Sequence, residues 1–295
     1  MTLRLFYPEM KMQFLFTCAK QRFLLLLFLW CCSTTALLAQ TTWTGTNGTS
    51  WTDAENWSAG VPDATDDVTI PNVSPQSQPT IGAGTAAVAK SVEVQSGAIL
   101  NIAATGSLTI NGFSSHNGST TGLFNAGTVA NSGIILGSTA SVGQYGLYNT
   151  AAFNNNSGGE IIIDQSINVG LLNNSGIFTN AAKITIGAVA SVGGEGIRNS
   201  GTFNNNSGGE IGIDRATTTG LTNVFGTFTN AAKITIRAVV DVGGEGIYNE
   251  GQFNNSTCAA LIRISSDAIV KNVNTYTFTN AGLLIENAIQ QQHQQ

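Results

Sequence analysis

The chain has 295 residues, 42% of them apolar and only 10% charged, with 34 glycines and a formal net charge of −5. That apolar content is enough for a sizeable core, which excludes disorder, and so few charges exclude long, charge-rich surface helices. The acidic balance excludes nucleic acid as a partner, because gripping phosphates takes a basic face that releases counterions, and the cations beyond residue 40 are scattered singly.

Residues 1–39 read as a secretory signal peptide: Lys20 and Arg22, then the apolar run 24–30, then small residues ending in Ala39, after which cleavage is expected. A start at Met10 or Met12 gives the leader ordinary length. The apolar run is shorter than the roughly 20 residues of a spanning helix, so no membrane span is expected after signal removal. Trp30 before Cys31 is bulky where lipoprotein processing takes a small residue. Cys18, Cys31 and Cys32 leave with the leader, and Cys258 then has no intrachain disulfide partner. The expected location is secreted or cell surface.

Residues 40–72 form a tryptophan-rich stretch in which Trp43, Trp51 and Trp57 are separated by turn residues. They are expected to plug the open end of a stacked fold, whose first rung would otherwise expose an apolar interior. The competing expectation is a carbohydrate-stacking platform on the same three rings. Trp43, Gly45, Trp51, Asn56, Trp57, Gly60, Val61, Pro62, Asp67, Val68, Ile70 and Pro71 match the pattern W.G....W....NW..G.VP...D.V.IP. This stretch resembles a module of secreted surface proteins of the Bacteroidetes, in which it opens a β-solenoid. The resemblance implies export and a β-helical body, and no activity.

Residues 73–121 are expected to be a loop, 73–90, running into the first solenoid strands. Val92/Val94, Leu100/Ile102 and Leu108/Ile110 alternate with polar or small neighbours and are separated by Gly97 and Gly106, the pattern of short strands with glycine corners. The stretch SSHNGSTTG reads as a further corner. His116 within it has no second histidine before His293, so no metal site is expected there.

From 122 to 286 the chain repeats. FNNNSGGEIIID (153–164) returns as FNNNSGGEIGID (203–214), and FTNAAKITI (178–186) returns at 228–236, a period of 50. Within it Phe153, Phe178, Phe203, Phe228, Phe253 and Phe278 fall 25 apart, each followed two positions later by Asn155, Asn180, Asn205, Asn230, Asn255 and Asn280. GLxN-like strands recur at Gly122–Asn125, Gly146–Asn149, Gly170–Asn173, Gly196–Asn199, Gly220–Asn223 and Gly246–Asn249, and each rung then carries the phenylalanine strand and a third, isoleucine-rich strand. Three short strands per 25 residues predict an all-β fold, a parallel β-helix whose rungs stack about 4.8 Å apart, with about eight rungs between Val92 and Ile285. Residues 287–295 are a polar tail.

Stacking predicts ladders. The phenylalanines are expected to form one aromatic column. The asparagines are expected at corners, accepting φ > 0 and hydrogen-bonding to the copies above and below. Aligning the isoleucines places Glu160, Lys183, Glu210 and Lys233 in one outward column of alternating sign, so doubling the unit turns like-charge repulsion into attraction. Asp214 and Arg237 follow the same rule. Corner lengths also alternate, NNNSGG in one rung and TNAA in the next.

Parallel β-helices include polysaccharide lyases and hydrolases, which need acidic residues converging on one face. Glu160, Asp164, Glu210, Asp214, Glu195 and Glu245 are the candidates. The first four are repeat tokens with expected partners. Glu195 and Glu245 sit where an earlier rung has Tyr145. GGEGI at 193–197 and 243–247 resembles the calcium-binding nonapeptide of toxin repeats, but Arg198 and Tyr248 stand where its aspartate belongs. The expectation is therefore no catalytic residue, no metal and no cofactor. The chain reads as an exported structural or adhesive surface protein whose partners are surface polysaccharide or other extracellular proteins. The alternative is a carbohydrate-binding or polysaccharide-degrading protein using one face of the solenoid.

Overall fold

A computed structural model describes residues 40–285 apart from 117, 138–142, 240–243, 265–267 and 274. The leader, 1–39, and the polar tail, 287–295, lie outside the described residues.

One rung shows how the chain turns. Tyr145–Asn149, Ala152–Asn155 and Glu160–Ile163 are short strands. Their inward positions, Leu147, Asn149, Phe153, Asn155, Ile161 and Ile163, are buried. Branched and aromatic residues there suit a pleated, half-buried surface. A tight corner joins the first two strands, and a turn through Gly158 at φ +85° joins the second to the third. The next rung repeats the plan with Val169–Asn173, Ile177–Asn180 and Lys183–Ile186. Each strand lies parallel to its counterpart and in register with it.

Repetition gives an all-β parallel solenoid of about nine turns with rungs of about 25 residues. Third strands form a nine-stranded parallel sheet, while first and second strands together form an 18-stranded one. In two rungs the corner between first and second strands is so tight that they run on as Thr219–Asn230 and Glu245–Asn255.

The stack begins earlier than Val92. Gln40–Thr42 pairs in parallel with Asp67–Ile70, which pairs with Ser91–Val94. The tryptophan module is thus built into the sheet it caps. The stretch expected as a loop at 73–90 contains two core strands, Thr80–Ile81 and Ala86–Ala89, paired with Ile99–Ile102 and Ser107–Ile110. Alanine carries a weak strand signal, so ladder pairing rather than propensity makes Ala86–Ala89 a strand. The SSHNGSTTG stretch is not a simple corner. Ser114–His116 folds back antiparallel on Ser119–Asn125, an outcome its Asn-Gly dipeptide favours.

The core is a set of columns. Leu100, Val129 and then the six phenylalanines lie in direct register. Adjacent rings are 4.7–4.9 Å apart between centroids and within 5–10° of parallel. Free aromatic pairs favour offset or edge-on contacts, whereas here the strand spacing sets the ring spacing. Across the interior stand the third-strand isoleucines, and they explain the glycine of the GLxN stretch. A Cβ on Gly196 would lie 2.7 Å from Ile213 Cγ2 and 2.6 Å from the Gly220 carbonyl oxygen. That glycine is a point of closest approach between first and third strands.

Phe203 is fully buried with a ring on each side, whereas Phe278 is only partly buried. Phe203→Ala is expected to cost about 3–5 kcal/mol and Phe278→Ala about 1–2 kcal/mol, measured by urea unfolding. Equal losses would contradict a continuous stack.

Candidate functional site

Trp43, Trp51 and Trp57 are 0%, 1% and 5% exposed. Trp57 meets Trp43 at 4.9 Å and Trp51 at 4.7 Å, both edge-on. Trp43 Nε1 donates to the Ser77 carbonyl and Trp57 Nε1 to the Trp51 carbonyl, each at 2.7 Å. With their faces packed into the core cluster they have none to offer a pyranose, and the carbohydrate-stacking expectation is corrected on that ground. Their position is that of a plug.

The repeated asparagines are also interior. Asn155, Asn180, Asn205, Asn230 and Asn255 are at most 1% exposed, and each sits at a strand end rather than in a positive-φ corner. The described non-glycine residues with positive φ are Thr105, Gln165, Ser175 and Phe225. Each amide donates through Nδ2 to the Oδ1 of the next rung at 2.7–2.8 Å, from Asn131 to Asn280. The same group donates to a nearby carbonyl, for example Asn155 to Lys183 at 3.2 Å. A second ladder, which was not foreseen, runs through the GLxN asparagines Asn125, Asn149, Asn173, Asn199, Asn223 and Asn249 and on to Asn272 at 2.7–2.8 Å. Its signal was the asparagine closing every GLxN stretch.

The outward column of the third sheet reads Ile134, Glu160, Lys183, Glu210, Lys233, Leu261 in register. Lys183 Nζ meets Glu160 Oε1 at 2.7 Å, and Lys233 meets Glu210 at 2.7 Å. Arg237 pairs with Asp214 in the same sense. No direct ion pair joins Lys183 to Glu210 among the described residues, so the continuous charge ladder expected from the alternation resolves into two separate pairs, one per 50-residue unit. Each is solvent-exposed and contributes at most about 1 kcal/mol. The remaining acidic candidates are also engaged. Asp164 accepts from the Val189 amide at 3.0 Å, Glu195 pairs with Arg198 at 3.1 Å, and Glu245 pairs with Lys271 at 3.0 Å.

Alternating corner length does shape the surface. The long turns at 156–159 and 206–209 stand two rungs apart, with the short Ala181–Ala182 corner recessed between them. The result is a cleft of about 470 Å³ lined by Ser157, Gly158, Glu160, Ala182, Lys183 and Glu210, among others. It is open to solvent, and its charged groups are those of the paired column.

On the outer face of the first strands, Phe124, Tyr148, Val169 and Leu172 form a small buried cluster flanked by Tyr145. His116 stacks on Phe124 with centroids 5.8 Å apart, and its Nδ1 lies 3.6 Å from Glu93 Oε2. Burial holds the imidazole below its ordinary pKa, against the pull of Glu93 and Asp67. These groups are a lid contact between the hairpin and the first sheet.

The Lys233 hydrogen bond holds the Glu210 carboxyl below the usual glutamate range, with desolvation opposing it. A depressed folded-state pKa means the pair stabilises above the unfolded pKa and ceases to do so as pH falls through the folded one. Lys233→Met is therefore expected to move the Glu210 titration upward, followed by carboxyl-carbon NMR, while the fold is retained. An unchanged midpoint would remove the pair from the account of the column.

Comparison with known proteins adds one match: a family described as Domain of unknown function (DUF8693) matches residues 42–128, from the tryptophan module to the strand that begins at Thr128. No curated protein and no solved structure matches the chain.

Proposed function

We propose that this chain is exported and serves as a non-catalytic structural or adhesive rod at a bacterial surface. One observation carries the reading: the chemistry of the repeat is occupied in holding rung to rung. The asparagine amides bond to one another, and of the six acidic candidates five have a partner one rung away, while Glu195 pairs with Arg198 of its own strand. A rod built this way has length as its main variable, and tandem rungs change length without touching a dedicated site. Support for export comes from the leader and from the tryptophan pattern that resembles secreted Bacteroidetes surface proteins.

Removing residues 153–202, one full unit, joins Ala152 to Phe203 in the register of the original sequence. The shortened protein is expected to fold, to unfold cooperatively, and to be about 10 Å shorter by small-angle scattering. Antibody is expected to label it on intact cells of the producing bacterium. Labelling only after lysis, or release of reducing ends from polysaccharide by the purified protein, would overturn the reading.

A further inference from the structure

The two 50-residue units are close copies, so the fold places nearly the same demands on each. Where they differ, the rung has not dictated the residue. Among the 16 positions that differ, Asn174, Ser175, Arg198 and Ser200 of the first unit become Val224, Phe225, Tyr248 and Glu250 of the second. These four changes converge on one corner. Glu250 stacks in register on Val224, next to Phe225, and the Tyr248 hydroxyl donates to Glu250 Oε1 at 2.6 Å.

In the first unit the same corner is closed by polar bonds. The Asn174 amide donates to the Tyr148 hydroxyl at 2.9 Å, and the Ser200 hydroxyl donates to Asn174 Oδ1 at 3.0 Å. In the second, Phe225 stands 76% exposed at φ +56°, a conformation that bulky residues avoid. Ser175, its counterpart, holds φ +63° with a small polar side chain, so the corner does not require a ring. Tyr276, from a later rung, meets Phe225 edge-on at 6.1 Å. Lys271 lies 5.1 Å above the Tyr248 ring and is paired with Glu245.

We propose that the Phe225 corner binds a neutral saccharide. An open aromatic face takes the C–H face of a pyranose, and Tyr276 supplies a second wall at an angle to it. The Glu250 carboxylate is oriented by Tyr248 and keeps acceptor capacity for sugar hydroxyls, since an ionised carboxylate offers about four lone-pair sites. Anionic sugars are disfavoured by Glu250 and Glu245 and by the net charge of −5, with the nearby Lys271 already paired. The site gives the adhesive reading a ligand class and rests on that reading only for its cellular setting.

The test uses the full mature chain on an array of neutral gluco-, manno- and galacto-oligosaccharides, followed by calorimetry with the best binder. Wild type is expected to bind. Phe225→Ser and Glu250→Ser, each restoring the first unit's residue, are expected to weaken binding at least about tenfold. Their unfolding temperatures are expected to stay at or above that of wild type. A blank array, or Phe225→Ser binding as well as wild type, overturns the site. So does a wild-type dimer that Phe225→Ser makes monomeric, which would assign the patch to a second copy. Surface labelling of intact cells tests the location separately, so failure of the site and failure of the surface reading are distinguishable.

Discussion

Two buried asparagine ladders govern the structure. A primary amide taken out of water without partners is heavily penalised, and here the ladder amides from Asn125 to Asn255 are buried, with only the last rung's Asn272 and Asn280 exposed. Carbonyls at its own corner satisfy part of each amide, and the rest is satisfied when the copy in the next rung sits directly above, with Nδ2 of one facing Oδ1 of the other. A slip of one residue would turn every amide outward and every outward side chain in, so the ladders allow one register. The bonds in each ladder all point the same way along the axis, an arrangement in which neighbouring dipoles reinforce one another. With the register set, the phenylalanine column, the isoleucine column and the glycine contacts between them follow. The hydrophobic columns supply stabilisation, and the amides decide between alignments.

The doubling of the period has two physical sources. One is charge: an unbroken 25-residue repeat would place Glu on Glu, and alternation gives each unit one ion pair instead. Those pairs are exposed and weak, so they account for avoided repulsion better than for gained stability. The other source is steric. A long turn projects from the solenoid, and long turns on successive rungs would have to fit within one strand spacing of each other. Placing the short Ala181–Ala182 corner between the turns at 156–159 and 206–209 leaves each room, and the cleft between them is the consequence. Charge and corner length share a period because both must avoid meeting their own kind one rung away.

In-register stacking made much of this legible from residues alone. In a parallel solenoid, sequence period and spatial neighbour are the same thing, so Phe153, Phe178 and Phe203 at intervals of 25 already name a contact. What escaped depends on direction and crowding, which spacing does not encode. The spacing of Trp43, Trp51 and Trp57 favours a plug but leaves a platform open, and only their burial in the core decides between the two. The GLxN stretch read as a strand without a reason for its glycine, and only the position of Ile213 shows that residue as a point of close approach. The Asn-Gly dipeptide at 117–118 signals a hairpin, but among so many glycine corners it was read as one more. Asparagine was given the φ > 0 role it often takes in turns, yet here it ends strands and bonds inward.

Repetition also changes what a single residue can say. In a globular core each position has its own surroundings, and an unusual side chain has to be weighed against packing demands that differ everywhere. Here Ser175 and Phe225 occupy the same place in the same corner, with positive φ in both and nearly the same rung beneath. Serine shows what the fold needs at that point. The phenylalanine is an addition to it, exposed where the serine corner is tied by the Tyr148, Asn174 and Ser200 hydrogen bonds. The same comparison separates Tyr248 and Glu250 from Arg198 and Ser200. The repeat therefore acts as an internal control: identity between copies marks the residues that build the rod, and local, convergent difference marks the surface that the rod presents.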